Sequence, residues 1–142
     1  MNPLKGWALA GAIVMFSMLM ACGGGKEAEA RKIMADHAQI METYAGSLEK
    51  AESAADCASA IDTFTDQMEK MMPRFKDFEK KHPDFFQAGG ESPPGLEKEH
   101  QRMVHGTDKL QAASMNMIKY MMDPQVQSAM QRMAAVMQQA GN

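Results

Sequence analysis

From Glu27 onward apolar residues recur every three or four positions, and almost no stretch alternates with period two. A repeat near 3.6 marks helices that bury one face, so this part of the chain is read as all-α. A first helix is expected from about Glu27 to Ser53, with Ile33, His37, Ile40, Tyr44, Ser47 or Leu48, and Ala51 along its stripe. Asp56 is placed to cap a second helix, since its carboxylate can accept from a free N–H in the following turn. Along that helix Ile61, Phe64, Met68, Met71, Phe75 and Phe78 are spaced 3-4-3-4-3, the repeat of a helix nearly parallel or antiparallel to its neighbours.

Pro73 falls inside this pattern, where it removes one hydrogen bond and crowds the preceding turn. Because the spacing carries on past it, a kink near Met72-Pro73 is expected rather than an end. The helix stops by Lys81-His82-Pro83, since a residue before proline is pushed out of the α region. Asp84 to Pro94 holds two glycines and two further prolines and is read as the long loop. A third helix is expected over Gly95 to Met122, with Leu96, His100, Met103, Thr107, Leu110, Ser114, Met117 and Met121 as its stripe. Asp123-Pro124 then signals a new start, aspartate as N-cap and proline at the first helical position. The fourth helix carries Val126, Met130, Met133 and Met137 and frays at Gly141-Asn142. Four amphipathic helices with two short connections and one longer loop predict an up-down-up-down four-helix bundle.

The beginning of the chain is different. Lys5 is followed by an uncharged run from Trp7 to Ala21. At ~1.5 Å per helical residue this run falls short of the ~30 Å that a permanent spanning helix must cross. It fits a secretory apolar region instead. The run ends in Leu19-Met20-Ala21-Cys22-Gly23, which resembles the lipobox of bacterial lipoproteins, although Met20 is bulkier than the residue usual at its place. The resemblance implies that residues 1–21 are a cleaved signal peptide, that the Cys22 thiol receives diacylglycerol, and that the new amino terminus is acylated. Gly23 in place of an aspartate implies sorting to the outer membrane, on its periplasmic side. Residues 22–27, with Gly23-Gly24-Gly25, then form a short tether, and residues 28–142 the bundle domain.

Composition narrows the function classes. The chain has a formal charge of −3, and Lys5 is the one charge in the first 21 residues, so the remainder is slightly more acidic. Mild acidity without a Lys/Arg cluster argues against a nucleic-acid partner. If Cys22 becomes a thioether, Cys57 is left alone, and its setting Ala54-Ala55-Asp56-Cys57-Ala58 suits a small semi-buried helix residue better than a redox centre.

Seventeen methionines stand out. Thioethers are soft ligands suited to Cu(I), and Met115, Met117, Met121 and Met122 are the candidate set. Methionine is also a helix former and an adaptable core filler, so packing is the competing reading. His37, His82, His100 and His105 lack a paired zinc spacing, and no HExxH, CxxC, GxSxG or SxxK is present. The expectation is therefore a non-catalytic chain without a cofactor, held to a membrane by lipid on Cys22 and acting on another envelope component. The alternative is a bundle that binds a soft metal or haem through its methionines.

Ala35-Asp36, Met41-Glu42-Thr43 and Leu48-Glu49-Lys50-Ala51 are similar to the opening helix of cytochrome b562-type bundles, and His105-Gly106 and the Pro-containing middle loop extend the likeness. The resemblance implies the bundle fold and Met41 as a residue of its lumen. The second haem ligand of that family is a histidine in the last helix, and Asp123–Asn142 contains none. Bis-methionine ligation by Met41 with Met133 or Met137 stays open, since the start of the first helix and the end of the fourth meet at one end of such a bundle.

Overall fold

The computed structural model describes residues 25–85 and 95–141, and among them every regular element is a helix. The expected signal peptide, Cys22 and most of the expected middle loop lie outside the described residues. The helices are α1 (Gly25–Glu49), α2 (Ala54–Lys81), α3 (Glu97–Ile118) and α4 (Pro124–Gly141). None of them is long and apolar enough to cross a membrane.

Local chemistry sets most boundaries. α1 takes in Gly25 and Lys26, ahead of the expected start, and ends at Glu49, short of Ser53. Ser53 is the N-cap of α2, its hydroxyl accepting from the Asp56 N–H at 3.1 Å. Asp56 acts from inside the first turn, accepting from the Glu52 N–H at 3.2 Å, so the two side chains satisfy donors reciprocally as in a capping box. The Ser53 hydroxyl first, and then the Glu52 amide, hold the Asp56 carboxyl below its ordinary range. α2 continues without a break through Pro73. It stops at His82, whose N–H reaches the Phe78 carbonyl at 2.9 Å just before Pro83.

α3 is shorter than the pattern suggested. Residues 119–122 leave the helix as tight turns, with Tyr120 N–H on Met117 O at 2.9 Å and Asp123 N–H on Tyr120 O at 2.9 Å. These turns set up the next start, where the Asp123 carboxylate accepts from the Gln125 N–H at 2.9 Å with Pro124 at the first helical position.

The contacts give each helix a direction. Tyr44 stacks on Phe64 with ring centroids 4.4 Å apart, and Arg74 pairs with Asp36 at 2.8 Å, so α1 and α2 are antiparallel. Arg31 reaches the Gly95 carbonyl while Asn116 reaches Leu48, so α3 runs alongside α1 in the same direction. Arg132 pairs with Asp62 and Lys76 with the Gln139 carbonyl, which sets α4 parallel to α2. The extensive contacts are α1 with α3, α2 with α4 and α1 with α2, whereas α3 and α4 scarcely touch.

The main core lies between α1 and α2, around Tyr44, Leu48, Cys57, Ile61, Phe64 and Met68. A second cluster of Ala30, Ile33, Met34, Phe78 and Leu96 closes the end where α1 begins and α2 ends. Full burial of a large aliphatic or aromatic side chain contributes ~1.5–3 kcal/mol, so this pair of helices carries most of the stabilisation. α3 and α4 dock through small residues: Gly106 and Ala113 are the buried residues of α3, and Ala129 joins Val126 on α4. A Cβ on Gly106 would sit 3.3 Å from the Met41 Cβ, which measures how closely α1 and α3 approach.

Candidate functional site

Because α3 and α4 reach the core mainly through small residues, their large apolar side chains other than Val126 are at most partly covered. Leu110 and Met117 of α3, and Met130, Met133 and Met137 of α4, lie partly buried against the main core. Met41 of α1 and Met72 of α2 join the same cluster. With about 100° of turn per residue, Leu110 and Met117 lie on the side of α3 that carries the buried Gly106 and Ala113, and Met130, Met133 and Met137 on the side of α4 that carries the buried Val126 and Ala129. The result is a methionine-rich layer packed against the main core.

The opposite side of α3 holds apolar side chains in water. Val104, Met115, Ile118 and Met122 are 50%, 68%, 55% and 85% exposed. They share one side of α3 and its terminal turn, largely turned away from Leu110 and Met117, and the exposed Asp108 and Gln111 fall among them. α4 presents glutamine and alanine at its exposed positions Gln127, Gln131, Ala134 and Gln138. From Leu110 to Gly141 the charged residues are Lys119, Asp123 and Arg132. Each is engaged: Lys119 donates to the Asn116 side-chain oxygen at 2.9 Å, Asp123 caps α4, and Arg132 turns to Asp62, Asp66 and Glu69 of α2. The stretch from Leu110 to Gly141 is thus sparsely charged, while α1 and α2 carry most of the ionic side chains.

The four methionines singled out for Cu(I) are not brought to one point. Met117 lies partly buried against the main core, Met115 and Met122 project into solvent, and Met121 lies in the turn, 38% exposed. Positions 115 and 117 fall on nearly opposite sides of a helix. Met41, by contrast, shares its cluster with Met133 and Met137. Cys57 is buried in the core beside Tyr44, and burial pushes its thiol above the ordinary range. Burial likewise holds the half-buried His37 below its ordinary value. Among the described residues no three His, Cys, Asp or Glu side chains converge as metal ligands would.

A shallow cleft of about 730 Å³ between α2 and α4 is lined by Ser59, Asp62, Asp66, Gln125, Ser128 and Arg132 among others. Its charged side chains are occupied with one another through Arg132. Acid and base are therefore already paired there, and nothing in the cleft is poised for proton transfer.

No family model matches the chain, and no curated protein or solved structure does either.

Proposed function

We propose that the protein is a non-catalytic lipoprotein, anchored through lipid on Cys22 at the periplasmic side of the outer membrane, whose helical bundle acts by docking another envelope component. In this reading the helices follow an up-down-up-down course, which the pairing of their ends supports. The observation that carries the docking role is the exposure of the apolar side chains Val104, Met115, Ile118 and Met122 on one side of α3 and its terminal turn. Large apolar side chains that the fold leaves in water are a feature of interaction surfaces, and methionine suits a surface that adapts to what it meets. Support for the anchor comes from the lipobox-like Leu19-Met20-Ala21-Cys22. Two or more acyl chains, at ~0.8 kcal/mol for each buried CH₂, hold a protein on a membrane without a spanning helix.

Palmitate labelling of wild type and Cys22→Ser in a bacterial host tests the anchor. Label in the wild type and an unlabelled, unprocessed variant are expected; equal labelling of both would remove the anchor from the account.

A second reading rests on Met41, Met117, Met133 and Met137 packing on one cluster: a soft metal or haem held by these thioethers. It differs from the docking role in predicting a ligand that survives purification.

A further inference from the structure

The structure assigns Met130, Met133 and Met137 of α4 as modification sites: oxidation of these thioethers to sulfoxides by a peroxide frees α4 from Met130 onward. This goes beyond the docking role proposed above and does not depend on it.

α4 is held in place largely by methionine. It rests on α2 and scarcely touches any other helix. Its buried residues are Val126 and Ala129, both within its first two turns, and beyond Ala129 none of its described side chains is buried. From there on Met130, Met133 and Met137 pack against the main core, at a spacing that puts them on one face, and Val136 is the other half-covered apolar side chain. The polar ties of this part are Arg132 with Asp62, Asp66 and Glu69, and Lys76 with the Gln139 carbonyl. All are exposed, and exposed pairs hold a helix weakly. A helix of 18 residues is marginal in water without packing, so three thioethers decide whether the second half of α4 stays folded. α3 is secured differently, by the buried Leu96 ahead of its start, by Asn116 on the end of α1 and by Arg102 on Glu42.

The same three thioethers are within reach of a small oxidant. Each is partly exposed, whereas Met34, Met68 and Met71 are 7%, 7% and 6% exposed. Among the described residues no accessible thiol competes, because Cys57 is buried and little of it is thiolate. Met115, Met121 and Met122 react first, and without consequence for the fold, since their side chains already stand in water.

The step needs a peroxide alone. A lone pair of the thioether sulfur attacks one peroxide oxygen, and the S–O bond forms as the O–O bond breaks. The departing hydroxide takes the proton of the transferred oxygen and leaves as water. Sulfur is oxidised by two electrons and the peroxide is reduced by two. An apolar side chain thereby becomes polar, which disrupts packing, and sulfoxide reductases reverse the change.

The test treats the purified full chain, in mild detergent, with rising amounts of hydrogen peroxide. Peptide mass spectrometry reads sulfoxide at each methionine, circular dichroism reads helicity, and brief trypsin digestion reads access to Arg132. Sulfoxide is expected first at Met115, Met121 and Met122 with helicity and protection unchanged. As Met130, Met133 and Met137 follow, helicity should fall and trypsin should begin to cut after Arg132. Treatment with the two methionine sulfoxide reductases should restore both. Met130→Leu, Met133→Leu and Met137→Leu together conserve volume and cannot be oxidised, so this variant should stay protected at the same peroxide dose. Sulfoxide at all three positions with helicity and protection intact would overturn the inference. So would a release that the reductases do not reverse, that the leucine variant shares, or that begins only once Met68 and Met71 are oxidised.

Discussion

The Asn116 side chain on α3 donates to the Leu48 main-chain oxygen at the end of α1, at 2.8 Å. The same amide nitrogen reaches Ala51 O at 2.9 Å, so one residue of α3 closes the C-terminal end of α1, where carbonyls have no partner within the helix. Asn116→Ala takes this donor from the Ala51 carbonyl and leaves Leu48 O with the longer Ala51 N–H contact at 3.3 Å, in a partly buried place. A loss of about 1–3 kcal/mol is expected in urea unfolding, with the midpoint moved and the slope unchanged.

Two glycines within helices should respond oppositely. At Gly106 a Cβ already meets Met41 at 3.3 Å, so Gly106→Leu overpacks the α1–α3 contact and should cost about 1–3 kcal/mol. At Gly46 a Cβ meets nothing within 4 Å. Gly46→Ala should stabilise α1 by up to about 1 kcal/mol through helix propensity alone. Thermal midpoints of the two variants therefore lie on opposite sides of wild type; a stabilised Gly106→Leu would mean that α1 and α3 are less closely packed.

Burial, with the Cys57 thiol as a second cause, pushes the Tyr44 phenol from 10.0 up to about 12. The sign follows from linkage. The unfolded chain loses this proton first, so the contribution is complete below pH 10 and is lost as pH rises towards 12. Tyr44→Phe removes that loss. The stability difference between variant and wild type should thus move in the variant's favour between pH 9 and about 12, measured by denaturant unfolding. A difference that stays flat over this range would contradict the burial of the phenol against Phe64.

The long apolar patterns on α1 and α2 were legible because those helices bury large side chains: Ile33, Tyr44, Leu48, Ile61, Phe64, Met68, Met71 and Phe78 are all in the interior. On α3 and α4 the same procedure found the right helices and the fully buried Leu96 and Val126, and it placed Met103, Leu110, Met117, Met130, Met133 and Met137 on the sides that pack against the core, but it passed over Gly106, Ala113 and Ala129, which are buried at the points of approach. Periodicity ranks positions by apolar size, whereas the close crossing of two helices selects small residues. The exposed track Val104-Met115-Ile118-Met122 was missed for a related reason. A pattern shows which residues share a face, and not whether any helix of the same chain covers it. The turn at residues 119–122 was hidden because its methionines continue a helical spacing after the backbone has left it.

Replacing Met115, Met117, Met121 and Met122 by leucine separates packing from soft-metal binding. Leucine conserves volume, so the stability change should stay below ~1.5 kcal/mol per site. Because Met115 and Met122 stand in solvent, most of any effect falls on Met117. Anaerobic Cu(I) titration against a competing chelator should give equal and weak affinity for wild type and variant, once circular dichroism shows equal helicity. Tight wild-type binding lost in the variant would replace the docking role by the metal reading.

Mass spectrometry of the N-terminal peptide, on protein extracted from the membranes of a Gram-negative host, tests the anchored account most directly. The account predicts a chain that begins at Cys22 and carries a diacylglyceryl thioether together with an amide-linked acyl group. A chain that still holds residues 1–21, or one whose Cys22 thiol is free, would contradict it.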